Sequence, residues 1–596
     1  MNKKTFMVLT GICIVAILMA CSPSQEQINQ LSTQIAGEIY GSLTATAAQT
    51  LTTPVETETP NLPEVDLTVY PVEPVIGLPQ GTDGYPWWND SVFYEVFVRS
   101  FFDSDGDGIG DLNGLIEKLD YLNDGDPETT TDLGITGIWL MPIFPSPSYH
   151  GYDVTDYYDI NPEYGTLEDF TNLLNEAHAR GIRVIIDLVI NHTSSQHPWF
   201  LQATDPSSPY HDWYIWADTD PGYSGSWGQQ VWYPSHGDYY YSSFTSSMPD
   251  LNYTNPDVTA QMEDVVQFWL EDVGVDGFRM DAAKHLIEEG TIQANSDSTH
   301  AWWKDFRTFY DQISPDALVI GEVWEDTSIT AMYLQGDELD LSFEFSLADA
   351  MISAANGSWS EGVNNQMELS FSRIPDMQYA VFLTNHDQDR VFSQLDEDDG
   401  KMALAASMLL TSPGVPFIYY GEEIGMQGEQ IHERIRRPMQ WVGDAAYAGF
   451  TTGMPWQALG LGWKLYNVND EAANPDSILS LYRTLINIRN QHAALRVGDL
   501  TELTTTNEAV YSCLRVSDNE AVLVIINLSG QPVDGVWLTK SESSLQEGTY
   551  QLVPILGEGN FDPIEINAQG GLFHLVGEPR IPAYGVVILQ LQGVGE

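Results

Sequence analysis

The sequence is poor in cysteine and in basic residues, and both shortages narrow what the protein can be. Among 596 residues there are three cysteines, Cys13, Cys21 and Cys513, and their positions cannot supply a disulfide framework. The chain has 85 acidic residues against 23 basic ones, so its formal net charge is −62. Because phosphate binding needs Lys and Arg, this balance argues against a nucleic-acid partner and is compatible with an uncharged substrate.

The length of the chain predicts more than one domain, since 596 residues exceed a single ordinary hydrophobic core. The apolar share of 43% is normal for a globular protein. No internal repeat is visible in the sequence. The acidic excess predicts a strongly charged, solvated surface and carries no information about the fold.

The first 21 residues have the features of a bacterial export signal. Lys3 and Lys4 precede an apolar run that is too short for an ordinary membrane span. The end of this run, Leu18-Met19-Ala20-Cys21, resembles the lipobox of bacterial lipoproteins. The resemblance implies that a lipid on Cys21 anchors the protein to the outer side of a membrane; a plain signal peptide or a short anchor helix is the alternative. Residues 22–80 are rich in Thr, Pro, Ser, Ala and Gln and are predicted to form a spacer.

Strand-like segments alternate with helical patterns between residues 81 and 498. Continuous apolar runs, such as residues 183–190, fit parallel strands that are buried on both faces. The alternation predicts a (β/α)8 TIM barrel built from residues 81–192 and 256–498. The eight expected strands cover residues 92–98, 137–142, 183–190, 275–280, 317–324, 339–345, 379–385 and 415–420.

Two segments depart from the alternation of strands and helices. Residues 193–255 lack a clear helix, are crowded with Trp, Tyr, Ser, Gly and Pro, and are predicted to form an inserted lobe (domain B) after the third strand. Residues 499–596 contain strand-like runs separated by turn residues, which predict a C-terminal antiparallel β-sandwich domain.

An acidic loop follows the first predicted strand and places Asp residues at alternate positions with glycines between them. This spacing suits a Ca²⁺ loop of the EF-hand type, although Gly114 stands at the twelfth position, where an EF-hand has Glu. We therefore predict one structural Ca²⁺ without an EF-hand pair; the alternative is an acidic turn without an ion. The expected ligands are Asp103, Asp105, Asp107, Asp111 and the carbonyl of Ile109.

Carboxylates stand at the predicted C-terminal ends of several strands, where barrel enzymes hold their active sites. Asp281 follows Arg279 by two residues, so both side chains leave the same face of the fourth strand. The arginine is expected to keep Asp281 ionised, whereas the apolar neighbours of Glu322, at the end of the fifth strand, favour its protonated form. A retaining glycosidase needs such a nucleophile and such a proton donor. A buried structural ion pair between Arg279 and Asp281 is the alternative.

Four separated motifs extend this pattern: Asp187-Leu-Val-Ile-Asn-His192, Gly277-Phe-Arg-Met-Asp-Ala-Ala-Lys-His285, Gly321-Glu-Val-Trp324 and Phe382-Leu-Thr-Asn-His-Asp387. In this order they resemble the motifs of the α-amylase family, glycoside hydrolase family 13, and the resemblance runs from about Trp87 to the C-terminus. Residues 248–252, Met-Pro-Asp-Leu-Asn, resemble the version found in the group between the oligo-1,6-glucosidase and neopullulanase types.

The family resemblance implies a role for each matching residue. Asp281 would be the nucleophile, Glu322 the general acid and then the base, and Asp387 would bind ring hydroxyls and favour the distorted transition state. A second Ca²⁺ site of the family would involve Asn191 and the carbonyl of His285. Tyr152 would stack on the sugar, with a core position as its alternative. Substrate contacts are expected from Tyr152, Asp153, His192, Arg279, Lys284, His285, His386 and Arg436.

Residues next to the predicted nucleophile indicate the linkage. Ala282 stands where exo-acting α-1,6 enzymes of the family usually carry valine, and Lys284-His285 resembles a pair of the α-1,4-endo enzymes. The expected protein is an exported, lipid-anchored α-amylase that cleaves starch-like glucans and maltooligosaccharides. An α-glucosidase, a cyclomaltodextrinase or a transglycosylase is the alternative within the class. A surface glucan-binding lipoprotein without catalysis is the alternative outside it.

Overall fold

The computed structural model describes residues 71–77, 79–577 and 580–593. The predicted export signal, Cys21 and most of the predicted spacer lie outside these residues. In the part of the chain that is described, no helix combines the length and the apolar character that a membrane span requires. Cys513 is buried as a free thiol.

Eight parallel strands close into the predicted (β/α)8 barrel. With strands numbered along the chain, their order in the sheet is β10-β11-β1-β2-β3-β7-β8-β9, and a bridge between Phe343 and Ala380 joins the two ends. The strands of the barrel and its inserted lobe are β1 (Phe93–Val96), β2 (Gly137–Leu140), β3 (Arg183–Leu188), β4 (Trp216–Ala217), β5 (Trp232–Ser235), β6 (Asp238–Tyr241), β7 (Gly277–Met280), β8 (Leu318–Gly321), β9 (Leu341–Ser342), β10 (Ala380–Val381) and β11 (Val415–Tyr419).

The barrel strands read as apolar runs because both of their faces are buried. Alternate residues point into the barrel, where the Phe93 and Phe417 rings stack with centroids 4.5 Å apart. The other residues of the same strands, such as Tyr94 and Ile138, pack against the surrounding helices. Side chains therefore fill the barrel axis, so the chemistry is confined to its rim.

Helices surround the barrel in the order that the sequence predicts. The helix Leu167–Ala179 begins with a capping box between Thr166 and Asp169. The helix Pro256–Gln267 continues into a π-helical turn that ends at Gly274, whose positive φ redirects the chain into β7. The helices are Val98–Phe101, Leu112–Glu117, Leu119–Leu122, Leu167–Ala179, Pro198–Ala203, Pro256–Gln267, Asp297–Ile313, Thr327–Thr330, Phe345–Gly357, Glu361–Arg373, Val391–Gln394, Asp399–Thr411, His432–Ile435, Val468–Ala472, Ile478–Gln491 and Ala493–Val497.

The inserted lobe contains a small sheet of strands in the order β4-β6-β5 and the short helix Pro198–Ala203. The sequence did not reveal this helix because six residues are too few to show a helical period. Its start is marked by His197, whose ring accepts a hydrogen bond from the Trp199 amide, and by Pro198 in the first turn. Packed aromatic rings, including Trp199 and Trp213, fill the lobe.

The C-terminal domain is a single antiparallel sheet of nine strands with its own apolar core, as the sequence predicts for an antiparallel β domain. The strand order is β12-β14-β15-β20-β17-β18-β19-β16-β13. The strands are β12 (Asp499–Glu502), β13 (Thr504–Thr505), β14 (Val510–Val516), β15 (Ala521–Asn527), β16 (Val536–Lys540), β17 (Gly548–Leu556), β18 (Ile564–Ile566), β19 (Leu572–Val576) and β20 (Val586–Gly593).

The last residues of the predicted spacer lie against the barrel. The Ile76 amide donates to the carbonyl of His178 at 3.0 Å, and the Glu73 amide donates to the Asn175 side chain at 2.7 Å. Residues 71–77 therefore form part of the barrel surface beside the helix Leu167–Ala179.

Candidate active site

A single buried arginine joins the carboxylates at the C-terminal rim of the barrel. Arg279, on β7, places Nη1 2.8 Å from Asp281 Oδ1 and 2.9 Å from Asp187 Oδ1. Its Nη2 lies 3.0 Å from Glu322 Oε2. Because β3, β7 and β8 are neighbours in the sheet, residues at the ends of three strands can share one guanidinium.

Burial raises the pKa of all three carboxyl groups around Arg279, and the arginine opposes that rise. The pKa of Asp187 reaches about 7. The pKa values of Asp281 and Glu322 are also above their usual range, first because of burial and then because further carboxylates stand nearby. The sequence argument paired Arg279 with Asp281 alone. In the structure the arginine contacts Glu322 as well, so it does not by itself divide the charge states of the two groups.

The backbone after Asp281 turns sharply at Ala282, which has a φ of 51° in the left-handed region. A residue with a Cβ rarely adopts this conformation, so the position is strained. The turn directs the Ala282 amide toward Glu322 Oε2, which accepts a hydrogen bond at 3.2 Å. The strained turn that follows Asp281 thus makes a hydrogen bond with the other catalytic candidate, Glu322.

Asp387 lies on the same rim among cationic partners. Arg436 Nη2 is 2.7 Å from Asp387 Oδ1, and His386 Nε2 is 3.2 Å from Oδ2. Burial alone would raise the pKa of Asp387, but the contacts with His386, His432 and Arg436 lower it well below the usual value. Asp387 is therefore an ionised hydrogen-bond acceptor over the working pH range.

His386 is held from below by Glu95, a residue of β1 that the sequence did not single out. Glu95 Oε1 is 2.6 Å from His386 Nδ1. Burial opposes the charged imidazole, yet Asp387 and Glu95 raise the pKa of His386 to about 9. The Tyr152 hydroxyl lies 2.6 Å from His386 Nε2 and donates to Asp187 Oδ2 at 2.9 Å. Histidine, tyrosine and carboxylates form one continuous network under the cleft.

A cleft of about 790 Å³ opens over these groups. Most of the predicted site residues line it: Tyr152, His192, Asp281, Lys284, His285, Glu322, Asp387 and Arg436. Arg279 and His386 do not line it; they lie beneath the carboxylates that do. Asp153 does not line it either; its Oδ1 accepts hydrogen bonds from Ser146 and Ser148. The substrate contact expected of Asp153 stays a prediction.

Lys284 and His285, the pair that resembles the α-1,4-endo enzymes, have hydrogen-bond partners of their own. Lys284 Nζ donates to the Trp324 carbonyl at 2.8 Å and to Glu325 Oε1 at 2.7 Å. His285 Nδ1 is 2.7 Å from the Gln293 carbonyl, and burial lowers the pKa of His285 to about 4. His192 is similar: its Nε2 is 3.1 Å from the Tyr152 carbonyl, and burial lowers its pKa to about 4. Both imidazoles are neutral at neutral pH.

Aromatic side chains from three separate segments form the wall beside His285. Trp227 and Phe244, from the inserted lobe, have ring centroids 5.5 and 5.9 Å from the His285 ring. Trp324 follows Glu322 and stacks on Phe345 at 4.4 Å. Sequence reasoning did not identify these residues as site residues. For Trp227 and Phe244 the only signal was the aromatic content of residues 193–255, and Trp324 was noted only as the end of the motif Gly321-Glu-Val-Trp324. Rings of this kind offer flat apolar surfaces for sugar rings.

The acidic loop is the second place where sequence reasoning assigned ligands. Carboxylate oxygens of Asp103, Asp105 and Asp111 can lie within 4.8 Å of one another. Asp107 is not part of this group; its Oδ1 accepts the Ile109 amide at 2.8 Å. The structure therefore brings three of the four predicted carboxylates together. Oxygen donors of this type fit a hard cation such as Ca²⁺.

Buried carboxyls also meet near Asn191. Asn191 Nδ2 donates to Asp250 Oδ2 at 3.1 Å, and burial raises the pKa of Asp250 to about 7. Glu288 is a half-buried residue whose Oε1 is buried without a hydrogen-bond partner, and desolvation and the Asp250 charge raise the pKa of Glu288 well above its usual value. Two carboxyls and an amide oxygen suit a divalent cation, so the residues fit the second site that the family resemblance implies.

Buried carboxyl groups facing an open cleft at the C-terminal rim of a (β/α)8 barrel define a glycosidase-type active site. Comparison with known proteins agrees with this class. Residues 95–498 match the family model described as "Alpha amylase, catalytic domain". The chain therefore belongs to the α-amylase family and is a retaining glycoside hydrolase acting on α-glucans.

Three relatives illustrate the range of the family. Alpha-amylase 3 of Dictyoglomus thermophilum is 43% identical over 451 residues, covering 74% of this chain and 86% of that protein. The trehalose synthase/amylase TreS of Mycobacterium tuberculosis is 35% identical over 578 residues, covering 85% and 89%. The crystal structure of an α-amylase from H. orenii has a TM-score of 0.74 and 44% identity, covering 84% of this chain and 99% of that one.

Proposed function

We propose that the protein is an α-amylase that cleaves α-1,4-glucosidic bonds in starch-like glucans and maltooligosaccharides. The aromatic wall beside Glu322 carries this proposal. Trp227, Phe244 and Trp324 add sugar-sized surfaces to the same cleft as the carboxylates, and Tyr152 and Arg436 line it too. A cleft with several such surfaces suits a substrate that is a chain of sugars. The two α-amylases above, at 43% and 44% identity, support the same reading.

In the proposed mechanism Asp281 attacks the anomeric carbon and forms a covalent glycosyl-enzyme. Glu322 first donates its proton to the leaving glycosidic oxygen, and burial, which raises its pKa, keeps that proton available. Glu322 then removes a proton from the attacking water, so the anomeric configuration is retained. Arg279 holds both groups in place, and Asp387 accepts hydrogen bonds from ring hydroxyls.

The family subgroup is also part of the proposal. Residues 248–252 suggest the group between the oligo-1,6-glucosidase and neopullulanase types. Transfer to another sugar is the second candidate reaction, because the aromatic wall beside Glu322 can hold an acceptor sugar as well as a leaving one. A relative named trehalose synthase/amylase supports keeping that reaction in the test.

We propose that Asp103, Asp105 and Asp111 hold a Ca²⁺ ion. The loop is packed against residues 451–455, since Thr451 donates to Asp103 and Gly108 closely approaches the Met454 carbonyl. A Ca²⁺ ion would offset most of the charge of three neighbouring carboxylates and fix this packing; it would take no part in bond cleavage. We extend the proposal to a second cation held by Asn191, Asp250, Glu288 and the His285 carbonyl.

We propose further that the protein is exported and anchored through a lipid on Cys21, on the outer side of a bacterial membrane. The lipobox-like sequence supports this, and the 71–77 segment leaves the barrel where such a tether would continue. Metabolic labelling with a fatty-acid analogue tests it: the full chain should be labelled, and Cys21→Ser should abolish the label. Equal labelling of both would remove the anchor from the proposal.

The activity is tested by an early time course of the soluble chain from about residue 81 on reducing-end-labelled maltoheptaose. Products are separated by length, and NMR identifies the anomer that forms first. Internal cuts that release α-anomers support the proposal. Release of single glucose units from the non-reducing end would indicate an α-glucosidase instead. Products longer than the substrate would indicate a transglycosylase. Absence of cleavage, with and without added Ca²⁺, would indicate a binding protein.

A further inference from the structure

The outward face of the C-terminal sheet carries an aromatic pair far from the described active site in the chain. Trp537, on β16, and Phe573, on β19, stack with ring centroids 4.3 Å apart and 20° between the ring planes. Their strand neighbours, such as Leu538 and Leu572, point inward and are buried in the core of the domain. Phe573 is nevertheless 69% exposed. Cross-strand stacking of these rings stabilises the sheet, yet most of the Phe573 surface remains open to a ligand.

Hydrogen-bonding side chains flank this pair in the same row across the sheet. Thr539 pairs with Phe573, and Thr504 pairs with Thr539. On the other side, the Ile566–Leu572 pairing places Glu565 next to Phe573. Paired residues of antiparallel strands project from the same face, about 5 Å apart. Phe573 therefore lies between a carboxylate on one neighbouring strand and a hydroxyl on the other.

Glu565 is held in position rather than free to rotate. The Thr549 hydroxyl lies 2.8 and 2.9 Å from its two carboxylate oxygens. A carboxylate can accept about four hydrogen bonds, so acceptor sites remain for a ligand. A flat apolar surface beside a fixed acceptor matches the two sides of a pyranose ring, which presents C–H groups on its faces and hydroxyls at its edge.

We propose that Trp537, Phe573, Thr539 and Glu565 form a second carbohydrate-binding site, which takes an α-glucan chain outside the catalytic cleft. This inference rests on the α-glucan substrate class of the proposed function. An uncharged polymer suits the surface of a chain with net charge −62, since it brings no charge to be repelled. Two sites that hold one polymer raise the effective concentration of its bonds at the cleft.

A second copy of this chain is the competing occupant, and the size of the site argues against it. A stable protein interface buries about 800 Å² on each partner. The exposed apolar residues of this face are Phe573, Leu575 and Val553, beside the half-buried Trp537 and the charged Glu565. Such a small, mixed surface fits a sugar chain better than a protein interface.

The test uses affinity electrophoresis of the full chain carrying Asp281→Asn, so that the polysaccharide in the gel is not consumed. Migration is compared in gels with glycogen, with a β-glucan and with no polymer. Adding W537A/F573A should raise the apparent Kd for glycogen about tenfold and so reduce the retardation, because the stacking surface is lost. The matched control is Trp359→Ala, which removes an exposed tryptophan outside the site. Should the double variant unfold, Phe573→Ser replaces it.

Each outcome decides one claim. Glycogen retardation that falls in the double variant and persists in the Trp359→Ala control supports the second site. Equal retardation of double variant and parent, absence of retardation in the parent, or dimerisation that the double variant abolishes would overturn it. Maltoheptaose cleavage, measured separately with Asp281 intact, should be unchanged in W537A/F573A. If the protein cleaves maltoheptaose but glycogen does not retard it, the second site is contradicted and the proposed function stands. If glycogen retards the protein but no cleavage occurs, the proposed function is contradicted and the second site stands.

Discussion

Two acidic clusters of this chain solve the problem of charge repulsion in different ways. At the barrel rim, Asp187, Asp281 and Glu322 share the buried guanidinium of Arg279. In the loop of residues 103–111, the carboxylates accept hydrogen bonds from backbone amides; Asp103 Oδ1, for example, accepts the Gly106 amide at 2.7 Å. No Lys or Arg pairs with that cluster among the described ion pairs.

The comparison gives the physical reason for the Ca²⁺ ion proposed above. Backbone amides supply only partial charges, so a cation would add to the stability of three close carboxylates in the loop. The rim already contains its cations as side chains, and a metal there would compete with the substrate. The clusters also differ in backbone: the loop uses Gly106 and Gly108 at positive φ, whereas the rim places Ala282 there. Glycine adopts a positive φ without strain, so the loop backbone is unstrained at these positions, whereas the alanine at the rim is strained.

The largest expected effect is at the rim. Asp281→Asn removes the nucleophile, so we expect kcat on maltoheptaose to fall by about four orders of magnitude with the fold retained. The matched control is Asp276→Asn at the opposite end of β7, where the carboxylate contacts His178 and Arg183. That change should lower stability and leave kcat within a small factor. Similar losses of kcat in both variants would contradict the assignment of Asp281.

Calcium removal tests the loop half of the comparison. If free Ca²⁺ exceeds its Kd a hundredfold, chelation should lower the free energy of unfolding by about 3 kcal/mol. Thermal unfolding with and without EDTA measures this loss. In D105N/D111N the EDTA effect should shrink by the share of the loop site, and adding Asp250→Asn should remove the remainder; in Asp281→Asn the full effect should persist. An EDTA effect in D105N/D111N as large as in the wild type would contradict a Ca²⁺ ion in the loop.

The pH dependence of the rim includes the titration of a histidine that the loop lacks, beside that of the general acid Glu322. His386 has a pKa raised to about 9, so its charge stabilises the fold below the unfolded value of about 6.5, and this contribution is lost as pH rises toward 9. Activity should fall through the same range because Asp387 loses a cationic partner. Glu95→Gln removes one cause of the raised pKa and should move the alkaline limb of kcat/KM down by about one pH unit.

The control for that prediction is Glu163→Gln, which removes a carboxylate paired with Arg99 outside the cleft. Its pH profile should match the wild type. An unchanged alkaline limb in Glu95→Gln would mean that His386 does not control the profile. Direct NMR titration of the His386 ring distinguishes an unchanged pKa from a changed pKa without functional effect.

The smallest expected effect concerns backbone strain at the rim. Ala282→Gly removes the Cβ from a residue with φ of 51° and should stabilise the protein by about 1 kcal/mol, less the entropy that glycine adds to the unfolded chain. Ala283→Gly is the matched control, since Ala283 starts a helical turn and should lose stability. Thermal unfolding compares the two. Equal losses would show that the Ala282 conformation is not strained.

Several features of the fold and the site follow from local sequence alone. Apolar runs between helical patterns identified the barrel strands, because burial on both faces leaves a direct mark on residue type. Asp281, Glu322 and Asp387 were found because barrel chemistry lies at strand ends, so a position along the chain implies a position in space. The strands are shorter than predicted: β8, for example, ends at Gly321, since the residues beyond it turn outward to form the rim.

Tertiary structure alone decided which side chains meet across the sheet. Glu95 and His386 are neighbours only because barrel closure brings β1 near the segment after β10. The bridging of both catalytic carboxyls by Arg279, the aromatic wall formed by Trp227, and the exclusion of Asp107 from the acidic cluster have the same origin. Sequence spacing fixes neighbours on one strand, whereas packing fixes neighbours between strands, and the charges of this site are set between strands.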